Sequence, residues 1–180
     1  MAKRLHFPLE QNYKCTSCGK CCNAQWRIGV TPEQKEVIEK TQAFQKAVKD
    51  GFQPLVVRED KFELNRDSEG HCFFHKNELC AIHAEVGPQA KPAACNLYPF
   101  QLVATPDGYF VSLSFSCPAV VAGVGGDSSD HREELQQIVE SAPHFFPPDI
   151  QAGGDITISE EFQVPWTSYL IWETDLIDSL

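Results

Sequence analysis

The sequence predicts a small α+β domain of short antiparallel hairpins with two or three helices packed around them. Three observations carry this. Alternating apolar positions recur only over short stretches closed by Gly, Pro, Asp or Asn, the pattern of hairpins rather than of long strands. Helical periodicity is confined to a few segments. The 180 residues are 42% hydrophobic and 22% charged, ordinary for one domain with a real core and unlike a disordered chain.

Residues 31–51 make the first expected helix. Thr31 caps it, Pro32 suits its first turn, Gln34 completes a Thr-x-x-Gln capping box, and Gly51 stops it. Val37, Ile38, Phe44 and Val48 form one apolar stripe, while Glu33, Lys35, Glu36, Glu39 and Lys40 read as a solvated face. Residues 54–65 mix β-branched and alternating apolar positions before an Asp67-Ser-Glu-Gly70 turn, which predicts short strands. A second hairpin is expected from Cys72-Phe-Phe-His75 and Leu79-Cys80, bringing Cys72 near Cys80. The third runs from Leu102 through the turn Pro106-Asp-Gly108 to Phe115 and delivers Cys117 at a strand end. Gly123-Val-Gly-Gly126 lacks both the Lys-Ser/Thr of a P-loop and the full dinucleotide fingerprint, so it reads as a flexible connector. A helix over about 130–141 turns Leu135, Ile138 and Val139 inward. Prolines 143, 147 and 148 and Gly153-Gly154 then lead to a strand at 155–159 and a helix from Trp166.

Cys15, Cys18, Cys21 and Cys22 set four thiols in eight residues, a spacing that wraps the backbone around a metal, as in thiolate zinc sites and cysteine-ligated iron–sulfur clusters. Cys72, Cys80, Cys95 and Cys117 lie downstream in turn-forming contexts and read as the second half of the framework. The domain is therefore expected to be clamped by metal. Four buried small hydrophobes in eight residues is the weaker reading of the first group, whereas Cys117 alone is as readily a packed side chain as a ligand. Adjacent side chains point apart, so one of Cys21 and Cys22 serves a second centre, a cluster edge or packing. His83 is a candidate nitrogen ligand by its Cys-x2-His spacing, ranked below the cysteines; His71 and His75 stay open, and His6, His131 and His144 receive no role.

A net charge of −10 excludes a sequence-independent grip on DNA or RNA phosphates. The N-terminus lacks the apolar run of a signal peptide, and no stretch is long enough to span a bilayer, so the default location is the cytoplasm, with no membrane or nucleic-acid partner. Thiols stay reduced there, which favours metal ligands over four disulfides. A Cys21–Cys22 bridge is also strained, since neighbouring Cα atoms lie about 3.8 Å apart and disulfides want roughly 4.4–6.8 Å.

The pattern Cys15-Thr-Ser-Cys18-Gly19-Lys-Cys21-Cys22 resembles that of cysteine-cluster proteins carrying the zinc- or iron-chelating domain named for its CxxCxxCC motif. The resemblance covers residues 15–118. It extends to Cys72, to Cys80 with His83, to Pro92 and Cys95 through Tyr98-Pro99-Phe100, and to Cys117-Pro118, with Asn96 standing where the family often has arginine. It is also similar, at a distance, to the cysteine-rich part of flagellin lysine-N-methylases, which implies an iron–sulfur protein acting in protein methylation.

The expected organisation is a cysteine-cluster domain at 1–118, followed at 119–180 by an extension that packs on it or begins a longer chain. The expected cofactor is an iron–sulfur cluster of the 4Fe–4S type, with zinc as the alternative, because thiolates suit both. Two functions follow: a redox or protein-modification protein with a protein substrate or redox partner, or a structural zinc module that recruits a partner. Glu133-Glu134 and Glu160-Glu161 face no nucleophile, so no catalytic residue emerges, and whether the chain is an enzyme and its oligomeric state are left open.

Overall fold

A computed structural model describes residues 4–76, 79–146 and 154–180. Asn77 and Glu78, at the tip of the second expected hairpin, and the stretch 147–153 with Pro147, Pro148 and Gly153 lie outside them.

The chain opens with the two-residue strands β1 (Leu5–His6) and β2 (Asn12–Tyr13), then a single helical turn, α1 (Lys20–Asn23). After β3 (Gly29–Val30) the expected helix at 31–51 is instead two, α2 (Pro32–Ile38) and α3 (Gln42–Lys49). The capping box at Thr31 and Gln34 forms as the sequence indicates. The break arises because Thr41 is a second N-cap: its hydroxyl accepts from the Phe44 amide at 3.2 Å. Glu85 completes that cap, its carboxylate accepting from the amides of Gln42 at 2.6 Å and Ala43 at 3.0 Å.

Strands β4 (Leu55–Arg58) and β5 (Lys61–Leu64) are the short strands expected at 54–65, but they pair with each other across a tight turn at Glu59 and Asp60, both at positive φ, rather than around the Asp67–Gly70 turn, and β3 pairs on the other edge of β5. The Asp67–Gly70 turn also forms, with the Asp67 carboxylate accepting from the Glu69 and His71 amides. Strands β6 (His75–Lys76) and β7 (Leu79–Cys80) make the second hairpin, in which His75 pairs with Cys80. Two short helices follow, α4 (Ala81–Val86) and α5 (Ala93–Leu97). The third hairpin is β8 (Phe100–Thr105) and β9 (Gly108–Leu113), with β1 parallel to β9.

Cys117 does not sit at the strand end. Strand β9 stops at Leu113, and Cys117 is the cap residue of α6 (Pro118–Val121), because Pro118 fixes φ for a helical start. The glycine run after it is no loose connector either. Strand β10 (Gly126–Asp127) pairs with β2, and at Gly125, φ +107°, a Cβ would meet the Tyr13 carbonyl carbon at 2.8 Å. The glycines permit that close approach. Helix α7 (Arg132–Ser141) buries Leu135, Ile138 and Val139 as expected, and β11 (Asp155–Ser159), β12 (Phe162–Pro165) and α8 (Trp166–Asp178) complete the chain.

The fold is thus α+β with short antiparallel pairs, and the helical content exceeds the two or three helices expected. Among the described residues eight helical segments occur, five of them seven residues or shorter. Contacts divide the chain into two compact units: one of residues 10–101 and 113–130, and one of 1–9, 102–112 and 131–180. The first holds all eight cysteines. Its apolar core joins Val30, Ile38, Ala43, Phe74, Ile82 and Ala90, with Phe74 and Ile82 each 1% exposed. Burying each of those two side chains contributes ~1.5–3 kcal/mol. In the second unit Leu5, Tyr109, Leu135, Val139 and Trp166 are buried, whereas Ile171, Trp172, Leu176 and Ile177 of α8 stand exposed. No described helix is long and apolar enough to cross a membrane.

Candidate metal centre

Gly19 organises the cysteine run. Its φ of +68° lies in the left-handed region, and its carbonyl accepts from the Cys22 amide at 3.0 Å and the Asn23 amide at 3.2 Å. The chain ahead of it turns at Ser17, whose amide donates to Cys15 Sγ at 3.4 Å. Cys15 and Cys18 are therefore exposed on the loop, while Cys21 and Cys22 sit half-buried on α1. Gly19 is needed for a second reason: a Cβ there would collide with His75 Nε2.

Cys22 is tied by its backbone to the downstream cysteines. Its carbonyl accepts from the Cys72 amide at 3.3 Å and from Arg66 Nη1 at 3.0 Å. Arg66 also donates to the carbonyls of Gly70 and Trp26, each at 3.0 Å, so one guanidinium stitches together the segments that carry Cys22 and Cys72. The His75–Cys80 pairing then places Cys80 beside the Cys72 turn, and the Ala81 amide donates to the Phe74 carbonyl at 2.7 Å. Cys95 faces this group from α5. Its loop is held by Asn96, whose Nδ2 donates to the Pro88 carbonyl at 2.7 Å, so the asparagine secures backbone where a basic residue was the family habit.

These segments enclose a cavity of about 60 Å³ lined by Cys21, Cys22, Cys72, Cys80 and Cys95. A single water needs only ~10–15 Å³ on this measure. Ile28, Leu64, Phe74, Ile82 and Pro92 supply apolar wall, and Arg66 and Lys91 also reach it. Burial, and then the neighbouring charge at Cys72, push the Cys95 thiol up to about 12. Burial likewise raises Cys72. Cys21 and Cys22 share a hydrogen bond that holds Cys21 down to about 6 and pushes Cys22 far up.

Cys15, Cys18 and Cys117 do not line the cavity. Their charges are felt instead at two phenols, Tyr13 and Tyr98. Tyr13 is raised by burial first and then by charge at Cys15 and Cys117, with Cys21 further out. Tyr98 is raised by burial and by charge at Cys117, Cys21 and Cys18. Trp26 braces this region: its Nε1 donates to the Cys21 carbonyl at 2.8 Å, and its ring meets Tyr98 edge-on with centroids 4.8 Å apart. His83 is exposed on α4 and outside the cavity lining.

The residues present fit a thiophilic metal. The donors are soft thiolates, the enclosure is apolar, two cations stand near to offset negative charge, and His75 Nε2 is buried with no hydrogen-bond partner among the described residues. Among the described residues no three His, Cys, Asp or Glu side chains converge at the separations one ion needs, so binding requires the thiols to change rotamer. The sequence singled out the cysteines but not Arg66, Trp26 or Tyr13, and Tyr98 entered only as part of the motif that follows Cys95. An arginine six residues before a candidate ligand carries no local signal, and two of its three carbonyl partners, Cys22 and Trp26, lie on a segment far away in sequence.

An α+β chain whose cysteines gather around one loop and one cavity is a thiolate-rich metal-binding protein. It belongs to the CxxCxxCC family of zinc- or iron-chelating domains, whose pattern matches residues 14–118. It is also 30% identical over 160 residues to the uncharacterized protein MJ0939 of Methanocaldococcus jannaschii, an alignment that takes in 86% of this chain and 54% of that protein. The chain thus spans about half the length of the curated relative it matches. No solved structure matches it. Neither finding extends to flagellin lysine-N-methylases, so the methylation expectation rests on resemblance alone.

Proposed function

We propose that this protein carries an iron–sulfur cluster on its cysteines and passes electrons to a partner in redox or protein-modification chemistry. The carrying observation is the exposure of Cys15 and Cys18 at the head of a C-x2-C-x2-C run. A cluster held there lies at the surface, where a partner can approach it, whereas a structural metal is best placed out of reach. The bound cluster would supply one-electron transfer. The chain's own part is to present thiolates on a turn fixed by Gly19, to limit water with Trp26 and the Tyr13 and Tyr98 rings, and to offset negative charge at Cys21 with Lys91. Reduced thiols of this kind suit the cytoplasm.

Zinc is the second reading, favoured by the half-buried Cys22, Cys72, Cys80 and Cys95, which join α1, a hairpin and α5 as a structural tetrathiolate site would. Dithionite reduction of anaerobically purified protein, followed by electron paramagnetic resonance, separates the two. The iron–sulfur reading expects bleaching of visible absorption and a new paramagnetic signal; a protein that is colourless and silent before and after reduction contradicts it.

A further inference from the structure

Resting on the metal-binding reading above, we infer that the cysteines form two separate four-thiolate sites that part at the Cys21–Cys22 peptide. The outer site is Cys15, Cys18, Cys21 and Cys117; the inner site is Cys22, Cys72, Cys80 and Cys95. Cys21 and Cys22 are consecutive on one helical turn, where successive Cα–Cβ bonds leave the helix about 100° apart, so the hydrogen bond their thiols share is given up when each turns to its own metal. Two neighbours so placed serve two centres more readily than one.

The inner four are joined by backbone. Cys22 accepts from the Cys72 amide, Cys80 pairs beside the Cys72 turn, and all four line one cavity with Cys95 closing it. The outer four are joined by a different set of bonds. Strand β10 pairs with β2, Gly126 opposite Tyr13, and the Ser128 amide donates to the Gln11 carbonyl at 2.8 Å. The Val124 amide donates to the Ala119 carbonyl at 3.0 Å, so the turn that begins at Cys117 is drawn onto the strand leading into Cys15.

Tyr98 lines the cavity and also feels the charge of Cys18 and Cys117, so it stands near both sets of thiols. Cys21 borders both sides, and the donor count assigns it: the inner set reaches four thiols without it, while the outer set reaches only three. The outer set also has an internal logic. In two-cluster ferredoxins three closely spaced cysteines of one run share a cluster with a distant cysteine that precedes proline. Cys15-x2-Cys18-x2-Cys21 with Cys117-Pro118 has that composition.

The test titrates Co2+ into the metal-free full chain under reducing, anaerobic conditions and reads thiolate-to-cobalt absorption and bound metal. The wild type should take up about two ions per chain, and Cys18→Ala about one. Double variants then decide. Cys18→Ala with Cys21→Ala removes two ligands of one site and should still bind about one ion, whereas Cys18→Ala with Cys22→Ala should bind none with full thiolate absorption. Circular dichroism of every variant identifies any that fails to fold. Because Cys15 and Cys18 are exposed loop residues, Cys15→Ala with Cys18→Ala is the substitute pair, expected to retain about one ion. Equal loss in the two double variants, or a wild type that saturates at one ion, overturns the division while leaving metal binding intact. A wild type that takes up no metal at all overturns the underlying reading as well.

Discussion

Replacing Gly19 with alanine should destabilise the metal-free protein by two mechanisms that a second glycine separates. At φ +68° alanine costs ~1–2 kcal/mol for the left-handed backbone. Its Cβ would also collide with the His75 ring, and overpacking of this kind costs ~1–3 kcal/mol. Restricting the unfolded chain returns ~0.4–1 kcal/mol, which leaves a net loss of about 1–4.6 kcal/mol. Gly51 has φ +85° and nothing within 4 Å of the place a Cβ would take, so Gly51→Ala carries the backbone cost alone and should lose only ~0–1.5 kcal/mol. Urea unfolding of both variants with metal removed and thiols reduced gives the two values. The difference between them is the His75 contact, and trimming His75 to alanine in the Gly19→Ala background should recover part of it. If Gly19→Ala is no worse than Gly51→Ala, the packing of His75 on the cysteine loop is wrong.

Thiol alkylation of the metal-free protein, mapped by mass spectrometry, should mark Cys21 first, with labelling that falls away only as pH drops through about 6, because the thiolate is the reacting form. Cys95, pushed up to about 12, should stay unlabelled at neutral pH; equal labelling of the two would refute the assigned environments. The same burial sets a pH trend in stability. A thiol in the unfolded chain ionises near ~8.5, whereas folded Cys95 keeps its proton to about 12, so its contribution is lost as pH rises between those values. Cys22, pushed up first by its hydrogen bond with Cys21, and Cys72, raised by burial, act in the same direction, and a metal-free protein more stable at pH 10 than at pH 8 would contradict this. Glu85→Ala should cost ~1–2 kcal/mol through loss of the carboxylate that caps α3, read as a lower midpoint in thermal unfolding, while Glu36→Ala should change little.

Local chemistry was legible in the sequence wherever a motif was self-contained. The Thr31–Gln34 capping box, the Asp67 turn, the hairpin around Pro106–Gly108 and the inward face of α7 all follow from neighbouring residues, and all formed; strands formed within 54–65 too, but they closed on each other at Glu59-Asp60 instead of around the Asp67 turn. The single helix over 31–51 failed because Thr41 is an ordinary mid-helix residue until Glu85, forty-odd positions away, supplies the rest of the cap. The glycine run at 123–126 was misread for the same kind of reason: its glycines answer to the Tyr13 backbone, which the local pattern does not contain. At the candidate site the cysteines announced themselves by spacing. Their sorting into a cavity-lining group and a phenol-flanking group depends on the β2–β10 pairing and on Arg66, both long-range, and no spacing rule reports either.

The central claim, that the cysteines hold an iron–sulfur centre, is tested most directly by metal analysis, acid-labile sulfide and visible absorption on protein purified without oxygen and without a metal-binding tag. The account predicts iron with matching sulfide and broad visible absorption, all reduced in Cys18→Ser. Zinc without sulfide would contradict the iron–sulfur reading, and equal metal content in the wild type and Cys18→Ser would contradict the assignment of the loop as its holder.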